Sequence, residues 1–178
     1  MSDPALVASS SILFRHIRPE DAEQLRDLRH RAIQECAHHF GTPPDIELGR
    51  GTGYYRRQIL EGRRLGSRVI LGGWVGDELI CMAGIRRRRT VSGPVGLITS
   101  MYVAPDWRGR RAGGHLLAQA RERIEKLWKV HRFQMNVEVN NETALKLYLR
   151  NGFRICSREE NAFFIRGRAH SVYLLECP

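Results

Sequence analysis

The stretch Val103-Ala-Pro-Asp-Trp-Arg108-Gly109-Arg110-Arg111-Ala112-Gly113-Gly114-His115-Leu116-Leu117 decides how this chain is read. Before it, Val95, Leu97, Thr99, Met101 and Val103 alternate with Gly96, Ile98, Ser100 and Tyr102, so both faces of the run look largely buried. That pattern predicts a central strand. After it, Leu116, Leu117, Ala120, Ile124, Leu127 and Trp128 recur at helical spacing and predict about four turns of helix. Small and basic residues therefore lie between a buried strand and a helix start. Free backbone N–H groups there can surround an anion such as a pyrophosphate, the helix dipole favours its charge, and glycines let the backbone approach closely. A glycine-rich turn that merely connects two elements has the same composition, and short phosphate-loop patterns have many false positives.

Working outward, Phe133 to Val139 is strand-like, and a short helix runs from about Glu142 to Arg150, stopping at Gly152, a natural C-cap residue. Strand signals return at Phe153 to Ser157 and Ser171 to Glu176, with a polar turn region between them. On the N-terminal side, Ile12 to Ile17 alternates like a strand, and Arg18-Pro19-Glu20-Asp21 suits a helix start. Ala22, Leu25, Leu28 or Arg29, Ala32 and Cys36 form an amphipathic stripe that fades near His38 and His39. Gly41 to Gly53, with two consecutive prolines and four glycines, reads as a loop before a second short helix around Tyr54 to Glu61. Arg68 to Val75 and Glu78 to Arg86 are β-rich runs joined at Gly76-Asp77, a dipeptide suited to a tight hairpin. The order β-α-α-β-β-β-α-β-α-β-β is a mixed α+β layout in which one helix crosses over between two parallel neighbours.

Two ordered motifs then carry a family resemblance. The stretch from Val103 to Leu117 resembles the acetyl-CoA-binding motif of the GNAT superfamily, in which a strand ending V-x-P is followed by R-G-x-G-x-G and a helix opening with paired leucines. Val137-Glu-Val-Asn-Asn141-Glu-Thr-Ala144-Leu-Lys-Leu-Tyr148-Leu-Arg-Asn-Gly152-Phe153 resembles the second signature, N-x-x-A-x-x-L-Y-x-x-x-G-F. Ile17-Arg18-Pro-Glu-Asp-Ala22 is similar to the first strand and helix, so the likeness spans roughly residues 12 to 176. Arg111 departs from the pattern, standing where the family usually has the middle glycine; it could narrow the loop or lend a cation to a phosphate.

The resemblance implies a GNAT-like mixed central β-sheet flanked by helices, with an acetyl-CoA cleft between two splayed central strands. It implies that Arg108, Gly109, Arg110, Arg111, Ala112, Gly113 and Gly114 surround the pyrophosphate, and that backbone around Met101, Tyr102 and Val103 pairs with the pantetheine arm. A backbone N–H there can also stabilise the oxyanion formed when an amine attacks the thioester. Tyr148 takes the place of the tyrosine that protonates the departing thiolate; an aromatic at helical spacing from Ala144 also fits a core position. Asn141 is expected to cap the short helix and to contact the cofactor.

The attacking amine needs a base or a water chain, and Val95 to Val103 holds no carboxylate, Thr99 and Ser100 being able only to orient a water. Glu35, His38, His39 and Glu138 are the remaining candidates, each equally readable as a solvated or capping residue. The loop from Gly41 to Gly53 with Asp45 and Glu47, together with Tyr54 and Tyr55, is expected to shape the acceptor site, where acidic residues would welcome a cationic amine; an exposed loop with ordinary charges reads equally well. The expected acceptor is a small-molecule amine or a protein amine.

Composition sets the outer bounds. At 178 residues, one domain over residues 1–178 is expected. With 42% hydrophobic and 27% charged residues the chain is ordinary globular material, which excludes the disordered and fibrous classes. No apolar run approaches the roughly 20 residues of a bilayer span, and MSDPALVASSS lacks a secretory layout. A soluble cytoplasmic protein with no membrane partner is expected. Cys36, Cys81, Cys156 and Cys177 are scattered without a C-x-x-C pair, no H-E-x-x-H run appears, and no metal is expected. Lys plus Arg number 29 against 19 acids, a net charge of +10 that suits nucleic acid, an acidic partner or a polyanionic cofactor alike. Two readings of other classes follow: a nucleic-acid-binding module using Arg86 to Arg89, and an acyl-CoA-binding sensor without turnover. Nucleic acid ranks below an amine as the expected partner, and the family resemblance makes a homodimer a further expectation.

Overall fold

In the computed structural model, which describes residues 11–178, the chain runs β1 (Leu13–His16), α1 (Ala22–Cys36), α2 (Pro44–Leu48), α3 (Thr52–Leu65), β2 (Arg68–Val75), β3 (Glu78–Thr90) and β4 (Gly93–Val103). It continues through α4 (Ala112–Trp128), β5 (Phe133–Glu138), α5 (Glu142–Arg150), β6 (Arg154–Ile165) and β7 (Arg168–Cys177). The N-terminal segment lacking a secretory layout lies, up to residue 10, outside the described residues. Among those described, no helix is long and apolar enough to cross a membrane.

The strands form one mixed sheet of order β1-β2-β3-β4-β5-β7-β6, antiparallel except where β4 and β5 run parallel on either side of the α4 crossover. Each face carries its own core. Leu116, Leu117, Ala120 and Ile124 of α4 pack with Tyr148 of α5 on Ile85, Ile98, Phe133 and Leu175. On the opposite face Ala22, Leu25, Leu28 and Ala32 of α1 meet Tyr55 and Ile59 of α3 over Trp74, Met82 and Tyr102. The helical stripe read from α1 is the one that is buried, and the alternating run in β4 has no fully exposed residue from Val95 to Val103.

The feature that positions the site is how β4 and β5 part. They pair only at Gly96↔Phe133 and Leu97↔Gln134. At that closed end a Cβ on Gly96 would meet the Phe133 ring at 2.8 Å, so only glycine permits the approach. Further along, Gly84 faces Thr99 and Met82 faces Tyr102, which leaves Ala83 opposite both Ser100 and Met101. This is a β-bulge, with Ser100 in left-handed backbone at φ 53°. A bulge bends its strand and sharpens its twist. Held by β3 to Val103, β4 therefore swings away from β5, which follows β7 instead.

Three segments differ from the sequence expectation. Within the presumed loop of residues 41–53, Pro44–Leu48 is helical, because Pro44 starts the turn and Glu47 is drawn inside by basic partners. Strand β3 continues through Arg86 to Arg89, all four exposed at its end, with Arg88 donating to Gln134 Oε1. The polar region after Ser157 is strand as well, the outer half of a long β6–β7 hairpin. Both faces of β6 are largely solvated at the sheet edge, so it carries no apolar alternation to betray it.

Candidate functional site

A cleft of about 940 Å³ opens where β4 leaves β5, walled by the end of α1, the start of α4 and one face of α5. It gathers most of the residues singled out from the sequence. Met101, Tyr102, Val103, Arg108, Gly109, Arg111, Ala112, Gly113, Gly114, Asn141 and Tyr148 all line it; Arg110 does not.

The α4 end of the cleft is a set of backbone donors. Gly109 at φ 73° and Arg111 at φ 62° turn the chain into α4, whose N-terminus has no side-chain cap. His115 N–H makes the first bond back, to the Arg111 carbonyl at 3.1 Å, so the N–H groups just before it project without helical partners. Gly113 is tight against the wall: a Cβ there would meet Leu147 at 3.1 Å. Arg110 instead lays its guanidinium over Trp107 at 5.0 Å.

Arg108 is also turned inward. Its Nε donates to the Val103 carbonyl at 3.0 Å, and its two terminal nitrogens grip Glu35 at 2.5 and 2.9 Å. The Tyr102 hydroxyl donates to the same carboxylate at 2.6 Å. The Arg108 hydrogen bonds first, outweighing desolvation, and then the Tyr102 bond hold the Glu35 carboxyl below its usual range. Arg108 thus fastens the loop to β4 and α1, and engages one candidate base.

Tyr148 sits on α5 with only 8% of its surface exposed, yet it lines the cleft. Burial pushes its phenol up to about 12. The hydroxyl has no hydrogen-bond partner among the described residues and stays protonated at neutral pH. Asn141 caps α5 as expected, its Oδ1 accepting from Ala144 N–H at 3.2 Å.

At the α1 end, Glu35, Cys36, His39 and Phe40 line the cleft. Burial first, with help from Glu35, raises the Cys36 thiol, so it is a poor nucleophile. The other acceptor-site expectations do not hold. Asp45, Glu47, Tyr54 and Tyr55 stay out of the cleft. Glu47 is buried behind it, taking Arg29 Nε at 3.1 Å, Arg50 Nη1 at 2.5 Å and the Tyr55 hydroxyl at 2.8 Å. Phe40 and Trp107 were not singled out from the sequence, since an isolated aromatic in a loop carries no pattern. Among the described residues no group of three His, Cys, Asp or Glu side chains is placed to hold a metal, and all four cysteines are free.

Comparison with known proteins agrees with this architecture. The model of the acetyltransferase (GNAT) family matches residues 26–153, most of the chain and both of its motifs. The chain belongs to that family. Ribosomal-protein-alanine N-acetyltransferase from Brucella melitensis superposes with a TM-score of 0.79 at 20% identity, over 92% of this chain and 98% of the other. Spermidine N-acetyltransferase from Vibrio cholerae, in complex with CoA and spermine, gives 0.78 at 16% identity over 94% and 95%. The yncA protein of Salmonella typhimurium, with its cofactor acetyl-CoA, gives 0.80 at 16% identity over 94% and 93%. No curated protein sequence matches the chain.

Proposed function

We propose that this chain is an acetyl-CoA-dependent N-acetyltransferase that moves an acetyl group onto an amine by direct attack on the thioester, without a metal. The observation that carries the proposal is the parting of β4 and β5 beside an uncapped helix N-terminus, with the largely buried Tyr148 in the wall, its hydroxyl without a hydrogen-bond partner among the described residues. Acetyl-CoA, when bound, supplies a thioester carbonyl open to an amine and a thiol leaving group.

The residues present fit that molecule. Past Leu97 the edge of β4 facing β5 has no strand partner, so backbone groups from Met101 to Val103 can pair with an extended pantetheine arm. Unpaired N–H groups at Ala112, Gly113 and Gly114 match a pyrophosphate, reinforced by the α4 dipole. Arg111 adds a cation at the same place. Arg108 and Arg110 contribute loop backbone, their guanidiniums being engaged by Glu35 and Trp107. Asn141 keeps its amide Nδ2 for the cofactor while Oδ1 caps α5. Tyr148 holds a proton for the leaving sulfur.

The neighbours' named activities, on spermidine and on a ribosomal-protein alanine, cover both small-molecule and protein amines as acceptor classes. Four free thiols suit a reducing, cytoplasmic setting.

Calorimetric titration with acetyl-CoA and CoA, then thiol release with a panel of amines, tests the reading. We expect micromolar binding and amine-dependent release, with Tyr148→Phe lowering kcat about a hundredfold and leaving cofactor affinity within about twofold. Absence of cofactor binding would overturn the proposal. Binding without turnover on any amine would instead favour the acyl-CoA sensor.

A further inference from the structure

An alkylammonium has a pKa of about 10.4 and must shed a proton before it can attack. Strand β4 offers no carboxylate, and Glu35 is engaged by Arg108 and Tyr102. Glu138 is 2% exposed; its oxygens accept from the backbone and side-chain amides of Asn140 at 3.0 and 2.8 Å and face His170 Nδ1 at 3.5 Å. Of the other titratable side chains in the cleft, Arg111, Lys146 and Arg150 are cations with no lone pair to offer, and Cys36 is held as a thiol. His115 stands next to the uncapped N–H groups of α4, at the end assigned to the phosphates. His39 is the group left at the other end.

We propose that His39 is the general base that takes the proton from the acceptor amine; this rests on the N-acetyltransferase reading above. His39 closes the 3₁₀ turn after α1, half-buried between Glu35, Cys36 and Phe40 in the cleft wall. An aromatic chain backs it. His38 meets it edge-on with centroids 4.1 Å apart, His38 stacks on His170 at 5.9 Å, and His170 stacks on Phe163 at 5.2 Å while facing Glu138. Burial is the first cause that holds the His39 imidazole below its usual value, followed by the charge of His38. His170 of β7 acts in the same direction, while Glu138 of β5 and Glu35 of α1 oppose it. The ring is therefore neutral at pH 7, with a lone pair to accept a proton.

In the step assigned to His39, an N–H bond of the acceptor ammonium breaks, its electron pair stays on nitrogen, and a new N–H bond forms on the imidazole. The imidazolium passes that proton to bulk water. The nitrogen loses a second proton on becoming an amide, which balances the one Tyr148 delivers to the leaving sulfur. One proton is released per acetyl group transferred.

The test uses the whole chain and three variants, His39→Gln, His39→Asn and His38→Gln. Wild-type kcat/KM with a turned-over amine should fall only below the His39 pKa, on the acid side of 6.5. His39→Gln and His39→Asn should lose at least about a hundredfold in kcat at pH 7, and the gap should close as pH approaches the amine's own value of about 10.4. Acetyl-CoA affinity by calorimetry should stay within about twofold of wild type, the mark of a catalytic rather than a packing role. Independently of any acceptor, histidine ring protons followed by NMR should show His39 titrating below about 6.5, and His38→Gln should move it upward. An unchanged pH profile in the His39 variants, a cofactor affinity that drops with kcat, or a His39 midpoint at or above that value would overturn the assignment. Wild-type protein that binds no acetyl-CoA would sink the wider reading and His39 with it, whereas normal wild-type turnover with unaffected variants would sink His39 alone.

Discussion

Arg111 holds left-handed backbone at φ 62°, a conformation that costs an L residue roughly 1–2 kcal/mol. The family pattern places glycine there, so the turn has kept its shape at the expense of strain, and the retained side chain is a cation beside unpaired N–H groups. Arg111→Gly should fold with equal or slightly greater stability, because relief of strain offsets glycine's added chain entropy. Its acetyl-CoA affinity should drop about five- to tenfold through loss of a charge-assisted phosphate contact. Calorimetry and thermal unfolding together check this; unchanged affinity would mean that Arg111 only shapes the loop. Tyr148 makes a complementary prediction. With its phenol near 12, it stays protonated across the working range, so the deficit of Tyr148→Phe should be constant from about pH 6 to 10. A basic limb in the wild-type profile that vanishes in the variant would mean that occupancy lowers the phenol's pKa.

Element by element, the site depends on where strands and helices end. Helix α5 has nine residues, too short to persist without tertiary support and a cap. Asn141 supplies the cap, and α5 in turn carries Tyr148 into the cleft. Asn141→Ala should cost about 1 kcal/mol, lowering Tm by roughly 2–4 °C for a chain of this size, and should weaken cofactor binding as well. Asn141→Asp should keep the cap and stability while placing a negative charge in the cleft, so only affinity suffers. A thermal melt and a calorimetric titration of both variants separate the two roles of this side chain. The bulge at Ser100 works on the same scale, since one left-handed residue is what frees the edge of β4 beyond Leu97.

For the molecule as a whole, charge is set into the fold beside the apolar core. Glu47 is 2% exposed and Arg29 7%, joined at 3.1 Å beneath the 41–53 segment. Glu47→Gln would leave Arg29 buried without a counter-charge and should cost about 3 kcal/mol or more, visible as a large drop in urea midpoint. The pH dependence follows from the same groups. Asp21 is held low first by its hydrogen bonds from Arg15 and Glu35 first by those from Arg108, while Glu47, which burial raises, is pulled below its usual value by Arg29, Tyr55 and Arg50. For a depressed carboxyl the unfolded chain binds protons first, so the stabilisation is present above its ordinary range and is lost as pH falls through the folded value. A depressed imidazole has the same sign: His39 is neutral in the fold after the unfolded ring has protonated, so its loss begins below about 6.5. Urea midpoints should therefore decline gently from pH 7 to 5 and steeply below about 4.5. His39→Gln should remove part of the first decline and none of the second.

Much of this protein was legible from local pattern. Periodicities of two and 3.6 located β4, α4 and α5, and paired motifs marked the cleft walls from Val103 to Leu117 and from Asn141 to Phe153, because each depends on neighbours within a few turns of chain. What stayed hidden depends on partners far along it. The Arg108 and Tyr102 grip on Glu35 joins residues 73 and 67 positions apart, and Arg29 meets Glu47 across 18. No local rule marks a serine for left-handed backbone, and β6 beyond Ser157 carried no alternation because both of its faces are largely solvated. The sequence by itself determined a mixed α+β layout, since hydrophobic period acts locally, and its two motifs carried the resemblance to the family and its fold. Only the tertiary structure decided which carboxylates were already engaged and which imidazole was set at the α1 end of the cleft, because burial and pairing of charge exist only once distant segments meet.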